Sequence, residues 1–480
     1  MHPSPDVRPH PMRSLLILGG AALAFSLAQT MLVPALGELT HQLDTDASGI
    51  AWVLTGYLLA AAVATPVAGR LGDMFGKRRL LVISLIVFGA GSTVAALGSS
   101  LEVVVGGRVL QGFGGGIFPL CFGIIRDEFP REKVASSIGL ISAIFGIGGG
   151  AGLIGGGLIA DHLSYHWIFW LGTITAALAA LAMQLWIPES PERKPGRVDL
   201  RGAALLGVGL VMPLIAISRA NDWGWGSTRT LALIAAGLAV LAVWVAVERR
   251  TEQPLADIPT LLKPSVLMTN VATLFVGFGM FGSFLLIPQL AEAPGSTGYG
   301  FALNATGAGL LLLPGSLVML FAGPISGALG SRFGSKLPLA LGAGTTSVGL
   351  IGLGLDHGSQ LTVIAWAFVM SAGIGLAFAA MANLVVEAVP PVQTGEATGF
   401  NALTRSVGAS IGSQVCAAIL AGSATAASPL ATDSGFTAAF LVSAGVAALA
   451  ALIAVAIPRG EHHAVRARAP RSERPVLVER

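Results

Sequence analysis

The sequence predicts an all-α polytopic membrane protein, two six-helix bundles with two further helices inserted between them. Three observations carry that prediction: a shortage of charge, fourteen apolar stretches of spanning length, and one internal repeat. Only 11% of the 480 residues are charged and 54% are hydrophobic, whereas soluble domains carry about 25% charged residues. Hydrocarbon rather than water must therefore solvate most side chains.

A membrane-spanning helix needs ~20 predominantly apolar residues. Such stretches run over 14–36, 49–68, 80–99, 101–125, 134–160, 167–187 and 202–219. Seven more follow at 229–247, 266–290, 304–328, 337–355, 361–385, 399–425 and 435–457. The first is too long for the ~7–15-residue core of a secretory signal. Cys121 and Cys416 fall within spans 4 and 13, so no disulfide framework is implied.

Charge placement orients the chain. With the N-terminus inside, 24 of the 28 Lys and Arg fall in inside loops and tails, and only Arg219 and Arg229 fall outside. This is the positive-inside pattern, and it places both termini in the cytoplasm. Arg108 and Arg405 are left within spans 4 and 13.

The repeat is found by shifting the chain by 258 residues, which superposes 65–78 on 323–336. Pro66, Gly69, Leu71, Gly72, Phe75 and Gly76 meet Pro324, Gly327, Leu329, Gly330, Phe333 and Gly334. The domains expected are a tail over 1–13, a bundle over 14–187, a linker with helices 7 and 8 over 188–265, a second bundle over 266–457, and a basic tail over 458–480. Repeated halves are a transporter architecture, with substrate near the midplane between them.

The connector between spans 2 and 3, GRLGDMFGKRRL, packs one acid and four bases into twelve residues. Its Gly69, Leu71, Asp73, Gly76, Lys77 and Arg78 resemble the cytoplasmic signature of the major facilitator superfamily. The six-plus-two-plus-six helix count is similar to that family's drug:proton antiporter branch. The resemblance implies a gate in which Asp73 pairs with Arg70, Lys77, Arg78 or Arg79, with Gly69, Gly72 and Gly76 shaping the turn. Ser331 replaces the acid in the second copy, so no equivalent lock is expected there.

Three further stretches extend the resemblance. Trp52, Thr55 and Tyr57 resemble the family's opening of helix 2, and Arg108, Gln111 and Gly112 its helix 4 signature. Gly148, Gly152, Gly156 and Gly157 resemble the helix 5 antiporter signature, with Leu153 where proline is usual. Read without the family, Gly148, Gly152 and Gly156 line one helix face and permit close packing in lipid. The resemblance makes them a hinge.

Intramembrane charge is expensive, so Arg108 and Arg405 are the leading candidates for coupling or substrate binding, with Gln111, Gln29 and Asn401 as polar neighbours. Arg405 lies in GEATGFNALTRSVGASIG, which resembles a family pattern of helix 13. No Asp or Glu falls mid-span, and Gln29 stands where many members carry a helix 1 aspartate. Glu38 and Glu102 are then the candidate proton carriers, with His162 and His166 near the outer mouth. Glu387 and Glu396 read as residues of a cytoplasmic loop.

No P-loop, metal-ligand grouping or nucleophile–base pair is present, so neither enzyme, cofactor nor metal is expected. The expected partners are a small-molecule substrate, protons and membrane lipid, with no nucleic acid, and the chain is expected to be a monomer. The resemblance implies efflux of amphipathic molecules by proton antiport. A carrier for one specific, anionic metabolite without proton coupling is the alternative. Abundant Ala, Gly, Val and Arg with few Lys point to a bacterial plasma membrane.

Overall fold

The computed structural model describes residues 11–45, 47–190, 199–424 and 430–458. Residues 1–10 and most of the basic tail thus lie outside the described residues. Among the described residues, fourteen helices are long and apolar enough to cross a membrane: α1 Met12–Ala35, α2 Trp52–Phe75, α3 Lys77–Leu97, α4 Leu101–Glu128, α5 Arg131–His162, α6 His166–Trp186 and α7 Leu200–Ser218. The remainder are α8 Thr228–Glu248, α9 Pro264–Glu292, α10 Thr306–Phe333, α11 Lys336–Leu355, α12 Gln360–Ala388, α13 Pro391–Ser423 and α14 Asp433–Ala456. One end of the molecule, the signature face, carries residues 69–79.

The helices overrun the apolar stretches at that face. The predicted second span stops at residue 68, but the helix continues through Phe75. The connector of the sequence reading is therefore helix on both sides of one residue, Gly76, whose φ of +109° places it in a region that disfavours side chains. Gly334 repeats this with φ +89°. Glu387 and Glu396, read as loop residues, are also helical, in Gln360–Ala388 and Thr394–Ser423. The reason is common to all three: hydropathy falls at the first charge, whereas a helix continues wherever its charges find partners.

The repeat reappears in packing. In the first half α1 packs on α5 and α6, α2 on α4, and α3 on α4 and α6. The second half repeats this as α9 on α13 and α14, α10 on α12, and α11 on α12 and α14. The halves meet along two seams, α5 with α10 and α2 with α13, each the image of the other under the repeat. The inserted α7 and α8 pack on one another, and α7 leans on α2 and α13.

Glycine sets the approach at α5. Gly148, Gly152 and Gly156 face Ser26, Thr30 and the Met31 carbonyl of α1. A second stripe, of which the sequence reading named only Gly157, comprises Gly139, Gly146, Gly150 and Gly157. It faces Gly323, Met319, Ser316 and Thr306 of α10. Three of the four antiporter-like glycines thus lie against α1, while Gly157 belongs to the stripe that faces the other half.

Candidate functional site

Asp73 is fully buried near the end of α2. Its partners are backbone donors: the amides of Gly395 and Glu396 reach its two carboxylate oxygens at 3.2 and 2.9 Å. These amides begin the helix Thr394–Ser423 of the other half. A helix start offers unpaired N–H groups and a positive partial charge, so it holds a carboxylate without a basic side chain.

Of the four bases expected to pair with Asp73, only Lys77 reaches it. Lys77 Nζ lies 3.5 Å from Asp73 and 2.6 Å from Asp127 of α4, all three side chains being buried. Arg70 instead faces Glu396 at 3.6 Å, across the α2–α13 seam. Arg78 and Arg79 stay within the first half, where their amides donate to the Glu189 carboxylate at 3.0 and 3.1 Å and cap α3. The Arg78 guanidinium donates to the Ile187 carbonyl at 3.1 Å.

Arg126, counted from sequence only as an inside charge, is the second clasp between the halves. It donates to the Val389 carbonyl at 2.6 Å and to the Thr394 hydroxyl at 2.7 Å. Gly69 and Gly395 lie so close that a Cβ on either would strike the other's carbonyl oxygen. Together these contacts close the signature face. At the second copy no carboxylate crosses the seam among the described residues: Ser331 is exposed and bonds within its own turn, while Asn383 donates to the Ala135 carbonyl at 3.2 Å. Ser335, the counterpart of Lys77 under the 258-residue shift, donates to Glu387 at 2.6 Å and so keeps only the tie within its half.

Within the spans the two arginines differ. Arg108 is locked inside the first half, where its Nε donates to the Val53 carbonyl at 3.0 Å and an NH to Gln111 Oε1 at 2.7 Å. Gln111 continues the chain to Ser92. The guanidinium lies over the Tyr57 ring, 4.2 Å from its centroid. This is the backbone-anchored arrangement of a structural arginine.

Arg405 is only half-buried and has no hydrogen-bond or ion-pair partner among the described residues. It lies over Phe378 at 4.3 Å and Phe145 at 5.4 Å. Those rings stack at 5.0 Å across the two halves, and Phe118 joins them edge-on. The Tyr57 hydroxyl, buried and without a hydrogen-bond partner among the described residues, lies within the electrostatic reach of both arginines. A cation on an aromatic floor, beside an unengaged hydroxyl, can hold an amphipathic molecule by stacking and charge.

A family model described as Major Facilitator Superfamily matches residues 18–413 and 269–479. The chain belongs to that superfamily. This facilitator is 30% identical over 430 residues to the Tetracenomycin C resistance and export protein of Streptomyces glaucescens, covering 87% of this chain and 78% of that one. It is also 30% identical over 407 residues to the Uridine/deoxyuridine transporter of Lactococcus lactis subsp. cremoris, covering 82% and 83%. The human organic anion transporter MFSD10 shares the fold, with a TM-score of 0.64 and 16% identity over 94% of this chain and 100% of that one.

The other polar residues singled out from sequence are scattered in this facilitator. Asn401 donates to Asn270 and Thr273 of α9 at 2.9 and 2.8 Å, within one half. Gln29 is half-buried on α1. Glu38 accepts from Gln42 beyond the end of α1, and Glu102 is exposed on the first turn of α4. His162 is exposed, and His166 pairs with Ser164 at 2.6 Å. None of these last four approaches Arg405. Asp127, Arg126 and Glu189 escaped the sequence reading, although the charged run after the apolar part of α4 was a usable signal for the first two.

Proposed function

We propose that this facilitator exports amphipathic small molecules of neutral or anionic character by alternating access, in a bacterial plasma membrane, with the closed signature face toward the cytoplasm. The excess of Lys and Arg in the loops at that face supports the orientation. The observation that carries the substrate class is Arg405, a cation without a polar partner over an aromatic floor between the halves. A relative that exports tetracenomycin C supports the direction.

Proton exchange is the proposed drive. The test is transport in proteoliposomes with an internal pH dye and a panel of cationic, neutral and anionic amphiphiles. A substrate that dissipates an imposed pH gradient supports antiport. Arg405→Ala is expected to lower the rate at least about tenfold, since a charge-assisted contact contributes roughly 1.5–3 kcal/mol. An unchanged rate in that variant would remove Arg405 from the substrate site.

A second reading has its own support. The sequence places no carboxylate mid-span, and one relative at 30% identity is a nucleoside transporter. An anion carried without proton movement, and stopped by Arg405→Ala, would favour a dedicated metabolite carrier.

A further inference from the structure

The base of the inserted hairpin holds two carboxylates that the gate and the arginine floor do not use. Asp199 caps α7, with one oxygen accepting the Gly202 amide at 2.8 Å. Glu248, at the end of α8, is 2% exposed, and one of its oxygens accepts the Ala256 amide at 3.3 Å. The remaining oxygens, Asp199 Oδ2 and Glu248 Oε1, are buried and have no hydrogen-bond partner among the described residues. Both press on the same face of Gly202. The Trp244 indole, one turn back and 6% exposed, turns toward Glu248 without reaching hydrogen-bond geometry.

Among the described residues, charge surrounds the pair without pairing with it. The neighbouring elements carry Arg201 on α7, Arg249, Arg250 and Asp257 after α8, Arg70 on α2 and Glu396 on α13. The first three are exposed, Asp257 is held by Gln393 and Thr260, and Arg70 faces Glu396. Among the described residues neither Asp199 nor Glu248 has an ion-pair partner. Two ionised carboxylates that crowd one glycine with these oxygens shielded from water repel, and such pairs relieve the repulsion by sharing a proton.

The pair also connects to the gate. Glu248 holds the Ala256 amide, and the next amide along, that of Asp257, donates to Glu396 at 2.5 Å. Gln393, at the start of α13, donates to Asp257 at 2.8 Å. The linker after α8 is thus strapped between the hairpin base and the helix start that binds Asp73.

We propose that Asp199 and Glu248 form a proton-binding latch for the gate. With one proton shared between Asp199 Oδ2 and Glu248 Oε1, the pair carries a single negative charge and the strap is seated. When that proton leaves to water at the signature face, repulsion turns Glu248 away from Ala256, and the linker frees Glu396. The latch is independent of what the facilitator carries and of what drives export.

The experiment is a spin-label distance measurement in nanodiscs, with labels at Phe75→Cys and Phe333→Cys, both exposed at the signature-face ends of α2 and α10. Raising the pH is expected to lower the closed-to-open ratio by roughly tenfold, within the range for coupled sites. Glu248→Gln keeps the acceptor for Ala256 and donates an amide hydrogen to Asp199, so it mimics the shared proton. The gate of that variant should stay closed at every pH, and Glu248→Ala should loosen it at every pH. An infrared carboxylic-acid carbonyl band that vanishes in Glu248→Gln is expected alongside. A wild type that does not titrate overturns the proposal. So does a Glu248→Gln variant that titrates like wild type or loosens like the alanine variant. A shift that follows sodium at fixed pH assigns the site to a metal cation and overturns the proton latch.

Discussion

Lys77→Ala is expected to destabilise the facilitator by about 3–5 kcal/mol, because it takes away the buried cation that sits between two buried carboxylates. Lys77, Asp73 and Asp127 have no exposed side-chain surface, and Lys77 alone bridges the two acids. The buried free thiols of Cys121 and Cys416 supply the readout, as a thiol-reactive dye reaches them only on unfolding. Heating should release them at a clearly lower temperature in the variant. Adding Asp127→Asn should restore part of the loss by removing one of the two buried negative charges. If that double variant unfolds no later than Lys77→Ala alone, the bridge is not what holds this corner.

The second large effect is expected from Gly69→Val. The substituted Cβ would meet the Gly395 carbonyl, which is backbone and cannot swing aside. The clash lies between the halves rather than within either, so the cost falls on the closed state. Overpacking of this kind costs typically 1–3 kcal/mol, which moves a two-state equilibrium by about five- to 150-fold. Transport should fall in proportion, while thermal release of Cys121 and Cys416 changes little. Gly106→Ala, where a Cβ would meet nothing within 4 Å, is the control and should leave both unchanged.

These expectations rest on contacts that differ in how far the sequence revealed them. The fourteen spans were legible because lipid imposes a rule on every residue at once, and the repeat was legible because its glycines and proline are kept in place. Asp73 was singled out through the signature around it, and the structure seats it against the other half. Its partners were not legible, because the Gly395 and Glu396 amides are donors that any residue but proline carries, and they come from a helix over three hundred residues away.

Arg108 and Arg405 show the same limit from the other side. In sequence they are equivalent, one basic residue in an apolar span of each half. In space Arg108 is spent on Val53 and Gln111, whereas Arg405 faces rings from both halves. Only tertiary neighbours separate a structural arginine from an available one. Glu248 was overlooked for a related reason: at the end of a span, beside two arginines, it reads as ordinary flanking charge. Its burial is visible only once α7 lies against it.

The central claim is that Asp73, seated on the first amides of α13, holds the signature face closed. The measurement that tests it most directly is the distance distribution across that face in Asp73→Asn, using the labelled Phe75→Cys and Phe333→Cys pair. The asparagine keeps one acceptor oxygen and turns an NH2 toward the second amide, so one bond is lost and one contact becomes repulsive. The account predicts a predominantly closed population in wild type and a predominantly open one in Asp73→Asn. A distribution identical to wild type would contradict it.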